Sequence, residues 1–506
     1  MDKIFSFLKK LIPKKLFKAF QPAYHYILSW SSALFAGFPS EKMVVIGVTG
    51  TIGKTTTSYL LLRTLKECGF KVGLSSTAIF DDGNKEWLND KRMTMVGRFF
   101  LQGLLAKMVK NGCQFAIVET TSEGIRQYRH KFINYDWLVF TGLYPEHIES
   151  HGGFENYKKA KGKLFAHLKD CKIKYVDEIF KVCTKASCLK KIDMTRIKKT
   201  VVANLDDENA AYFLSFWAEE KIGFMLENHP QTPPCLAGRQ ASKGGEATHP
   251  ASPGSAPTPC LPAGRSRGDL GLPENLQVEK YGEIKTESEG VSFQAFGEKI
   301  QLSLLGEFNA ANAMAAACVA RLAVKDFKKI KTGLKSITGV AGRMEKIDEG
   351  QPFTVIVDYA FEPNSLTKLY DTIEKFPHNR IINVLGSAGG GRDAARRPKM
   401  GLLAGKRADY VIITNEDPYD DDPLLIIEQI AVGAEKEGKK LNLDLFKIPD
   451  RREAIRKAIS IAEPGDLVLI SGKGSEQLMM LANGEKIPWD DRVVVREEIK
   501  KKKEEK

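Results

Sequence analysis

Cysteine is scarce in this sequence of 506 residues, and its few cysteines are not arranged in pairs. The 8 cysteines are scattered and include no C-x-x-C motif, which argues against a disulfide framework and favours a reduced cytosol. A long apolar run is also lacking near the N-terminus. The stretch from Ala23 to Gly37 is shorter than the ~20 residues of a membrane-spanning helix. These two absences exclude a disulfide-stapled domain and a spanning helix in that stretch.

Apolar and basic residues are abundant. Apolar residues make up 43% of the chain, which is enough for hydrophobic cores, and the length corresponds to roughly three domains of about 150 residues. The 76 basic and 63 acidic residues leave a net charge of +13. A basic chain of this kind is typical of proteins that meet anions, such as nucleotides, nucleic acid or a membrane surface.

Residues 1–42 form a basic N-terminal segment with apolar residues at helical spacing, interrupted by Pro13 and Pro22. Six of its lysines are at positions 3, 9, 10, 14, 15 and 18. Two interpretations remain open. Residues 1–38 are an amphipathic anchor on the anionic inner face of the plasma membrane, or they are a helical extension that packs on the main body.

Two alternating sets of strands and helices follow this segment. The first includes "MVVIGV", "KVGLSST", "FAIVETTS" and "DWLVFTG", and the second includes "FTVIVDYA", "RIINVLGSAGG", "DYVIITNEDP" and "DLVLISGKG". This βαβ order predicts an α/β fold with mostly parallel sheets. We expect a P-loop-type ATPase domain over 43–338, a Rossmann-like domain over 339–498 and a charged, frayed tail over 499–506. A Pro/Gly/Ser-rich stretch over 227–274 predicts a disordered insertion.

The stretch "VTGTIGKTT" predicts a phosphate-binding loop between a strand and a helix. Gly47 and Gly53 enclose five residues, whereas the usual pattern has four, so the site differs from that of generic NTPases. Backbone N–H groups would hold the phosphates, Lys54 would reach the β- and γ-phosphates, and Thr55 would coordinate Mg²⁺. The predicted nucleotide-binding residues here are Thr49, Gly50, Thr51, Gly53, Lys54, Thr55 and Thr56. The alternative is an ordinary strand-to-helix turn.

Further motifs occur in a fixed order along the chain. They are "IVETTSEGI", "TGLYPEHIESHGGFENYKKAKGKLF", "LLGEFNAANAMAA", "GVAGRMEKID", "FTVIVDYAFEPNSL", "GGGRDAARRPKMG" and "GKGSEQLMMLANGEKIPWDDR". With the phosphate loop, these segments resemble the Mur ligase family, and most of all its MurE-type members, from about Met43 to Glu498. The family resemblance is broken only by the 227–274 insertion.

The resemblance implies an ADP-forming, ATP-dependent ligase of peptidoglycan precursor synthesis. It would activate a carboxylate of UDP-N-acetylmuramoyl-L-Ala-D-Glu as an acyl phosphate, which the amine of an amino acid then attacks. Lys54 and two Mg²⁺ ions would screen the anions that must meet. Thr55 and Glu119 would hold one ion, and Glu119, His147 and a carbamylated Lys161 the other. We expect small-molecule substrates, no nucleic acid, a cytoplasmic location and a monomer.

Lys161 also stands out by helical periodicity. Tyr157, Leu164 and Phe165 form one face of the predicted helix, and Lys161 falls in the middle of that face while its neighbouring lysines point outward. Burial favours the neutral amine, which can take up CO₂ and become a carboxylate suited to Mg²⁺. The alternative is a lysine that packs its stem and extends its charge to solvent.

The resemblance assigns the remaining substrate contacts to three groups. The muramoyl-peptide side would use Thr121, Ser122 and Arg129. The nucleotide side would use Asn312, Arg343 and Asp358, with Arg396 facing the reacting phosphate as a catalytic residue. The incoming amino acid would meet Glu416, Asp417, Tyr419, Gly472 and Glu476.

The sequence departs from the family pattern at several places. Ile52 replaces an asparagine of the phosphate loop, Phe361 replaces a histidine, and Tyr419 replaces the arginine that clamps diaminopimelate. The amino acid added therefore stays open, with lysine or another diamino acid among the choices. The basic segment stands where the family has its UDP-gripping domain, so the acceptor's carrier also stays open.

Two other functions are compatible with these departures. One is a folylpolyglutamate- or cyanophycin-like ligase that acts on another carboxylate. The other is a non-catalytic, nucleotide-binding protein at the membrane. The joint presence of Lys54, Thr55, Glu119, His147 and Lys161 favours the MurE-type ligase.

Overall fold

The computed structural model of the chain describes residues 14–144, 151–183, 194–227, 272–273, 275–287, 289–391 and 394–504. His147 and most of the predicted 227–274 insertion lie outside these residues.

The strands of the described chain are numbered in sequence order. They are β1 Val44–Thr49, β2 Val72–Ser75, β3 Ile79–Asp81, β4 Glu86–Leu88, β5 Phe115–Glu119, β6 Trp137–Phe140, β7 Lys174–Val176, β8 Thr195–Ile197, β9 Thr200–Asn204, β10 Glu220–Leu226, β11 Leu276–Glu287, β12 Gly290–Ala295, β13 Glu298–Leu302, β14 Glu345–Ile347, β15 Thr354–Asp358, β16 Ile381–Leu385, β17 Tyr410–Ile413, β18 Leu445–Lys447, β19 Leu467–Ser471, β20 Leu478–Met480 and β21 Lys486–Pro488.

The α-helices are numbered in the same way. They are α1 Lys14–Phe35, α2 Lys54–Glu67, α3 Arg98–Lys110, α4 Ser122–Arg126, α5 Phe154–Leu168, α6 Ala210–Leu214, α7 Phe308–Ala320, α8 Phe327–Lys335, α9 Pro363–Ile373, α10 Arg396–Arg407, α11 Pro423–Lys436, α12 Arg451–Ile461 and α13 Asp491–Glu504.

The first sheet has eleven strands in the order β13-β12-β11-β10-β9-β6-β1-β5-β2-β3-β4. Neighbours from β11 to β2 are parallel, and the hairpin strands at both ends are antiparallel. Strand β1 is buried on both faces, as central parallel strands are. Its alternate residues reach different cores: Val44, Ile46 and Val48 pack with α2, α7 and α8, while Val45 packs with α3 and α5.

The second sheet has six strands in the order β14-β15-β19-β16-β17-β18. Only β14 is antiparallel to its neighbour. Helices α9, α10 and α11 pack on one face, and α12 and α13 on the other. The predicted α/β class with two mostly parallel sheets is confirmed. The boundary between residues 338 and 339 stays a prediction.

Helix α1 lies against the first sheet's α3 and the loop after α4. Ser29 Oγ donates to the carbonyl of Tyr128 at 2.9 Å and accepts from Arg98 Nε at 2.9 Å. The prediction that Pro22 interrupts the helix is wrong, because Pro22 lies inside α1. A proline removes one backbone donor, and the packing beyond it keeps the helix continuous. None of the helices in the described chain is long and apolar enough to cross a membrane.

The charged C-terminal end differs from the prediction of a frayed tail. Helix α13 continues to Glu504, and Ile499 is buried in the core of the second sheet. Glu498 accepts hydrogen bonds from Arg452 at 2.9 Å and Arg456 at 2.7 Å. These contacts hold a segment whose charge pattern alone suggested disorder.

Candidate active site

The loop between β1 and α2 has a shape that only glycine permits at two positions. A Cβ at Gly50 would lie 2.1 Å from Thr141 Oγ1, and one at Gly53 would lie 2.5 Å from Asn312 Oδ1. Gly53 also has φ +81°, which disfavours other residues. No described side chain caps the first turn of α2, so its backbone N–H groups face the loop without a side-chain acceptor. The cradle therefore fits phosphate groups.

We call the eleven-stranded sheet with its helices the first unit and the six-stranded sheet with its helices the second unit. Contacts within the first unit hold the phosphate loop in place. Lys54 Nζ donates to the Thr51 carbonyl at 2.7 Å, and Thr51 N donates to the Gly142 carbonyl at 2.7 Å. Thr49 Oγ1 donates to the Thr120 carbonyl at 2.9 Å. Thr56 is buried at the start of α2. The predicted loop residues are thus brought together around one backbone turn.

Glu119, the last residue of β5, is fully buried among hydroxyl groups. Thr55 Oγ1 lies 3.1 Å from its Oε1, and Thr77 donates to it from Oγ1 at 2.9 Å and from N at 2.8 Å. No described lysine or arginine pairs with this carboxylate. A buried carboxylate beside a threonine hydroxyl supplies the hard oxygen ligands that Mg²⁺ prefers, so these residues fit the ion. No motif in the sequence indicated that Thr77 belongs to this site.

The complete predicted metal set cannot be assembled from described residues, because His147 lies outside them. In the described ranges, no group of three His, Cys, Asp or Glu side chains has the arrangement of a metal site. Thr55 contacts Glu119, and Lys161 contacts the backbone of the phosphate loop at Gly50.

Lys161 is 2% exposed and extends towards the phosphate loop. Its Nζ donates to the Gly50 carbonyl at 2.8 Å and lies 4.8 Å from the centre of the Tyr157 ring. Lys159 and Lys163 on the same helix are exposed, so the face predicted from periodicity is confirmed. The Tyr157 hydroxyl in turn lies 3.1 Å from Thr51 Oγ1. Burial at this position favours the neutral form of the amine, which is the form that reacts with CO₂.

The three residues predicted for the muramoyl-peptide side lie around α4. Thr121 caps this helix by accepting from Gly124 N at 3.1 Å, and Ser122 Oγ lies 3.1 Å from His151 Nε2. Arg129 donates to the Met95 carbonyl and to the Gln127 side chain. Burial lowers the pKa of Arg129 from its usual value. His151 was not singled out from the sequence.

The predicted nucleotide-side residues are divided between the two sheets. Asn312 of α7 reaches the phosphate loop beside Gly53. Asp358 ends β15 and accepts from Met344 N at 2.7 Å, while the Arg343 guanidinium lies 4.3 Å from the centre of the Tyr359 ring. Burial raises the pKa of Asp358, and the charge of Arg343 opposes that shift.

A cluster of charged residues follows β17 and β19 of the second sheet. Lys473 Nζ lies 3.1 Å from Asp417 Oδ1 and 2.8 Å from Glu476 Oε2. The Tyr359 hydroxyl donates to Glu476 Oε1 at 3.0 Å. These loops leave the carboxyl ends of two parallel strands that flank β16 in the same sheet, and open α/β sheets bind ligands at that edge. Two predicted residues, Asp417 and Glu476, therefore share one cluster with Lys473, which was not predicted.

Glu416 lies beside this cluster and is buried. Its Oε2 has no hydrogen-bond partner among the described residues, and a Cβ at Gly472 would approach that oxygen to 2.4 Å. Burial raises the pKa of Glu416 to about 7, and the charge of Arg396 opposes the shift. Arg396 begins α10 and lies 5.5 Å from the centre of the Phe361 ring. Glu416, Gly472 and Arg396 are thus neighbours, as a common site requires.

Arg92 joins the two units at this cluster. It lies between β4 and α3, and its Nη2 donates to Asp417 and, at 3.1 Å, to Glu476. Arg92 and Asp417 are 325 positions apart, so no local pattern in the sequence could indicate the contact. The Nε and Nη1 of Arg92 are buried and have no partner in the described chain. Leaving such donors unpaired costs about 1–3 kcal/mol.

Tyr419, the residue predicted in place of an arginine, adopts φ +53°. Its ring packs so closely on Gly390 that a Cβ there would lie 2.8 Å from it. The backbone of this half-buried residue is therefore fixed at the edge of the charged cluster.

Comparison with known proteins identifies the relatives of this site. Residues 48–197 match the Mur ligase middle domain, and residues 342–474 match the Mur ligase glutamate ligase domain. The chain is 32% identical over 468 residues to UDP-N-acetylmuramyl-tripeptide synthetase of Roseiflexus sp. (strain RS-1), covering 91% of this chain and 79% of the relative. The chain belongs to the Mur ligase family. Members of this family are ATP-dependent, ADP-forming amide ligases.

Other Mur ligases show similar relationships. The UDP-N-acetylmuramoyl-L-alanyl-D-glutamate–2,6-diaminopimelate ligase of Halalkalibacterium halodurans is 30% identical over 472 residues, covering 92% of this chain and 80% of the relative. A solved structure of a ligase with the same name has a TM-score of 0.52 at 25% identity, covering 91% of this chain and 79% of that one. ADP-bound folylpolyglutamate synthase of Mycobacterium tuberculosis shares the fold, with a TM-score of 0.57 at 13% identity, covering 89% and 92%. The resemblance inferred from the motifs is confirmed.

Proposed function

We propose that this Mur ligase joins an amino acid to the D-Glu γ-carboxylate of a UDP-N-acetylmuramoyl-L-Ala-D-Glu acceptor or a close analogue, with lysine and other diamino acids among the candidates. One observation carries the proposal. Residues from separate helices converge on one glycine loop: Lys161 donates to the Gly50 carbonyl, and Thr55 contacts the buried Glu119. A turn between a strand and a helix with only a structural role would not need a buried lysine and a buried carboxylate that has no cationic partner in the described chain.

Each group has a role in bringing two anions together. The backbone between Gly50 and Thr55 and the Lys54 ammonium would hold ATP phosphates. Thr55 and Glu119 would hold one Mg²⁺, and Glu119, His147 and carbamylated Lys161 would hold a second. The ions supply charge neutralisation between carboxylate and phosphate when they are bound.

Carbamylation would change the charge of Lys161 from positive to negative. The neutral amine adds to CO₂, forms an N–C bond and releases one proton. Burial of the Lys161 side chain favours the neutral amine, and the Gly50 carbonyl accepts a hydrogen bond from its nitrogen.

The remaining predicted residues are assigned to the other substrates. Thr121, Ser122 and Arg129 would contact the muramoyl peptide. Asn312, Arg343 and Asp358 would contact the nucleotide, and Arg396 would face the transferred phosphate. The incoming amino acid would bind among Glu416, Asp417, Tyr419, Gly472 and Glu476.

Release of ADP tests this function. The protein is given ATP, Mg²⁺ and UDP-N-acetylmuramoyl-L-Ala-D-Glu with L-lysine, L-ornithine or meso-diaminopimelate in turn, and the product is identified by mass spectrometry. We expect ADP release that needs both acceptor and amino acid and that is lost in Lys54→Ala. Turnover with a pteroylglutamate acceptor alone would overturn the muramoyl assignment.

We also propose that α1 places the enzyme on an anionic membrane surface. Its inward face consists of small residues, with Ser29, Ser32 and Ala33 buried. Its outward face is apolar and aromatic, and the exposed residues on that face are Phe20, Tyr24, Ile27, Trp30, Leu34 and Phe35. Six lysines between positions 3 and 18 precede or overlap the helix. Trp and Tyr beside lysines are the composition of helices that lie in the interface of acidic bilayers.

Vesicle sedimentation tests the membrane contact. We expect the full chain to sediment with phosphatidylglycerol/phosphatidylcholine vesicles and to remain largely unbound with phosphatidylcholine alone. The double change Ile27→Asp and Trp30→Asp should abolish binding. The control Leu443→Asp removes an equally exposed apolar residue of the second unit and should have no effect. Unchanged vesicle binding by the double variant would contradict the proposal. So would a wild-type dimer that the double change converts to a monomer, because α1 would then be a subunit interface.

A further inference from the structure

Among the described residues of the first unit, Arg92 is the one that forms ion pairs with the charged cluster of the second unit. Its side chain is 12% exposed, and it approaches Asp417 and Glu476 from a loop that precedes α3. Its backbone adopts φ +53°, an unfavourable conformation for a side-chain-bearing residue. The loop thus holds a strained arginine at the junction of the two units.

The contacts made by Arg92 do not use all of its donors. Both ion pairs use Nη2, whereas Nε and Nη1 are buried and find no acceptor in the part of the chain that the structure describes. Arginine cannot lose its charge to relieve this, so the remaining N–H groups call for an acceptor from a ligand. The preferred partner of a guanidinium is a carboxylate or a phosphate.

The charges around Arg92 indicate which substrate supplies the acceptor for its Nε and Nη1 donors. Two cations, Arg92 and Lys473, face two carboxylates, Asp417 and Glu476, and the neighbouring Glu416 has an oxygen without a described partner. A purely anionic ligand would meet the repulsion of these acidic groups. An amino acid brings both a carboxylate and an ammonium group and so matches the unpaired donors and the unpaired acceptor.

We infer that Arg92 is a specificity-determining residue that binds the α-carboxylate of the incoming amino acid across the cleft between the two units. The inference rests on the proposed function, since it requires an amino acid as the second substrate. It adds a residue from the ATP-binding unit to a subsite otherwise built from loops of the second unit.

A comparison of an amino acid with its carboxamide separates this role from that of a structural latch. Arg92→Lys retains a cation for Asp417 and Glu476 but lacks the Nε and Nη1 donors. KM and kcat are measured for ATP, for L-lysine and for L-lysinamide, or for whichever amino acid of the panel gives the fastest ADP release and its amide. The matched control is Arg63→Lys, which alters an arginine–glutamate pair with Glu86 away from the cluster.

We expect Arg92→Lys to raise KM for the amino acid roughly tenfold to a hundredfold. We expect the wild type to use the amide poorly and Arg92→Lys to leave KM for the amide nearly unchanged, while KM for ATP should change less than about twofold. The preference of the enzyme for the amino acid over its amide should therefore fall in Arg92→Lys and remain unchanged in Arg63→Lys. Arg92→Gln provides the same comparison if the lysine variant has a lowered melting temperature.

Two other results are informative. If acid and amide are affected in parallel, or if KM for ATP rises as much as KM for the amino acid, Arg92 acts only as a latch and the inference is overturned. If the wild type releases no ADP with any amino acid, the proposed function itself fails, which is a different result from an active enzyme with unchanged acid preference.

Discussion

Lys161 of α5 donates a hydrogen bond of 2.8 Å to the carbonyl of Gly50, in a loop 111 positions earlier in the chain. This contact places a buried amine against the backbone of the phosphate loop. It joins the glycine motif to the helix that the sequence predicted to present a lysine inward.

The first prediction concerns the chemical state of Lys161. Lys161→Ala should abolish ADP release, because no carboxylate can then form at this buried position. Lys163→Ala, on the exposed face of the same helix, should retain wild-type activity. Wild-type activity should fall in CO₂-stripped buffer and return with bicarbonate. Equal activity with and without CO₂ would show that the unmodified amine is the working form.

The second prediction concerns the shape of the phosphate loop. Gly53→Ala and Gly69→Ala both place a Cβ at positive φ, +81° and +93°, and each should lower the free energy of unfolding by about 1–2 kcal/mol. Only the Gly53 methyl meets a neighbour, Asn312 Oδ1. We therefore expect Gly53→Ala alone to weaken ATP binding, by at least about tenfold in calorimetric titration. Similar ATP affinities in the two variants would contradict this.

The third prediction concerns the pH dependence of stability. The folded state raises the pKa of Glu416 from 4.5 to about 7, so it holds the proton more tightly than the unfolded chain does. The contribution of this proton to the free energy of unfolding is complete below pH 4.5 and is lost as the pH rises to about 7. The free energy of unfolding falls by about 3 kcal/mol over this range. Glu416→Gln removes this titration. Urea unfolding at pH 5 and pH 8 should show the variant gaining stability relative to wild type at the higher pH, and identical pH profiles would disprove the assignment.

The fourth prediction contrasts a buried ion pair with an exposed one. Arg451 and Asp491 are both 0% exposed and form two hydrogen bonds of 2.8 and 2.7 Å. Asp491→Asn leaves a buried guanidinium without its countercharge and should cost about 3–5 kcal/mol of unfolding free energy. Glu86→Gln breaks the half-exposed pair with Arg63 and should cost less than about 1 kcal/mol. Chemical denaturation of both variants measures the difference.

Local periodicity in the sequence was sufficient for much of the fold. The alternation of β-branched runs with helical stretches predicted both sheets, and the spacing of Tyr157, Leu164 and Phe165 predicted which lysine of α5 is buried. Predictions of helix ends from single residues were wrong near both ends of the chain. Pro22 lies within α1, and the charged residues beyond Arg496 continue α13, because packing against the body outweighs a weak local preference.

The sequence by itself determined the phosphate loop, the inward lysine and the family, because each depends on residues close together in the chain or on motifs in a fixed order. Tertiary structure alone decided that Thr77 contacts Glu119, and that Arg92 reaches Asp417. Strand order in the first sheet creates the first contact, and the packing of the two units against each other creates the second. No spacing rule connects positions that far apart, since only the packed chain brings their side chains into reach.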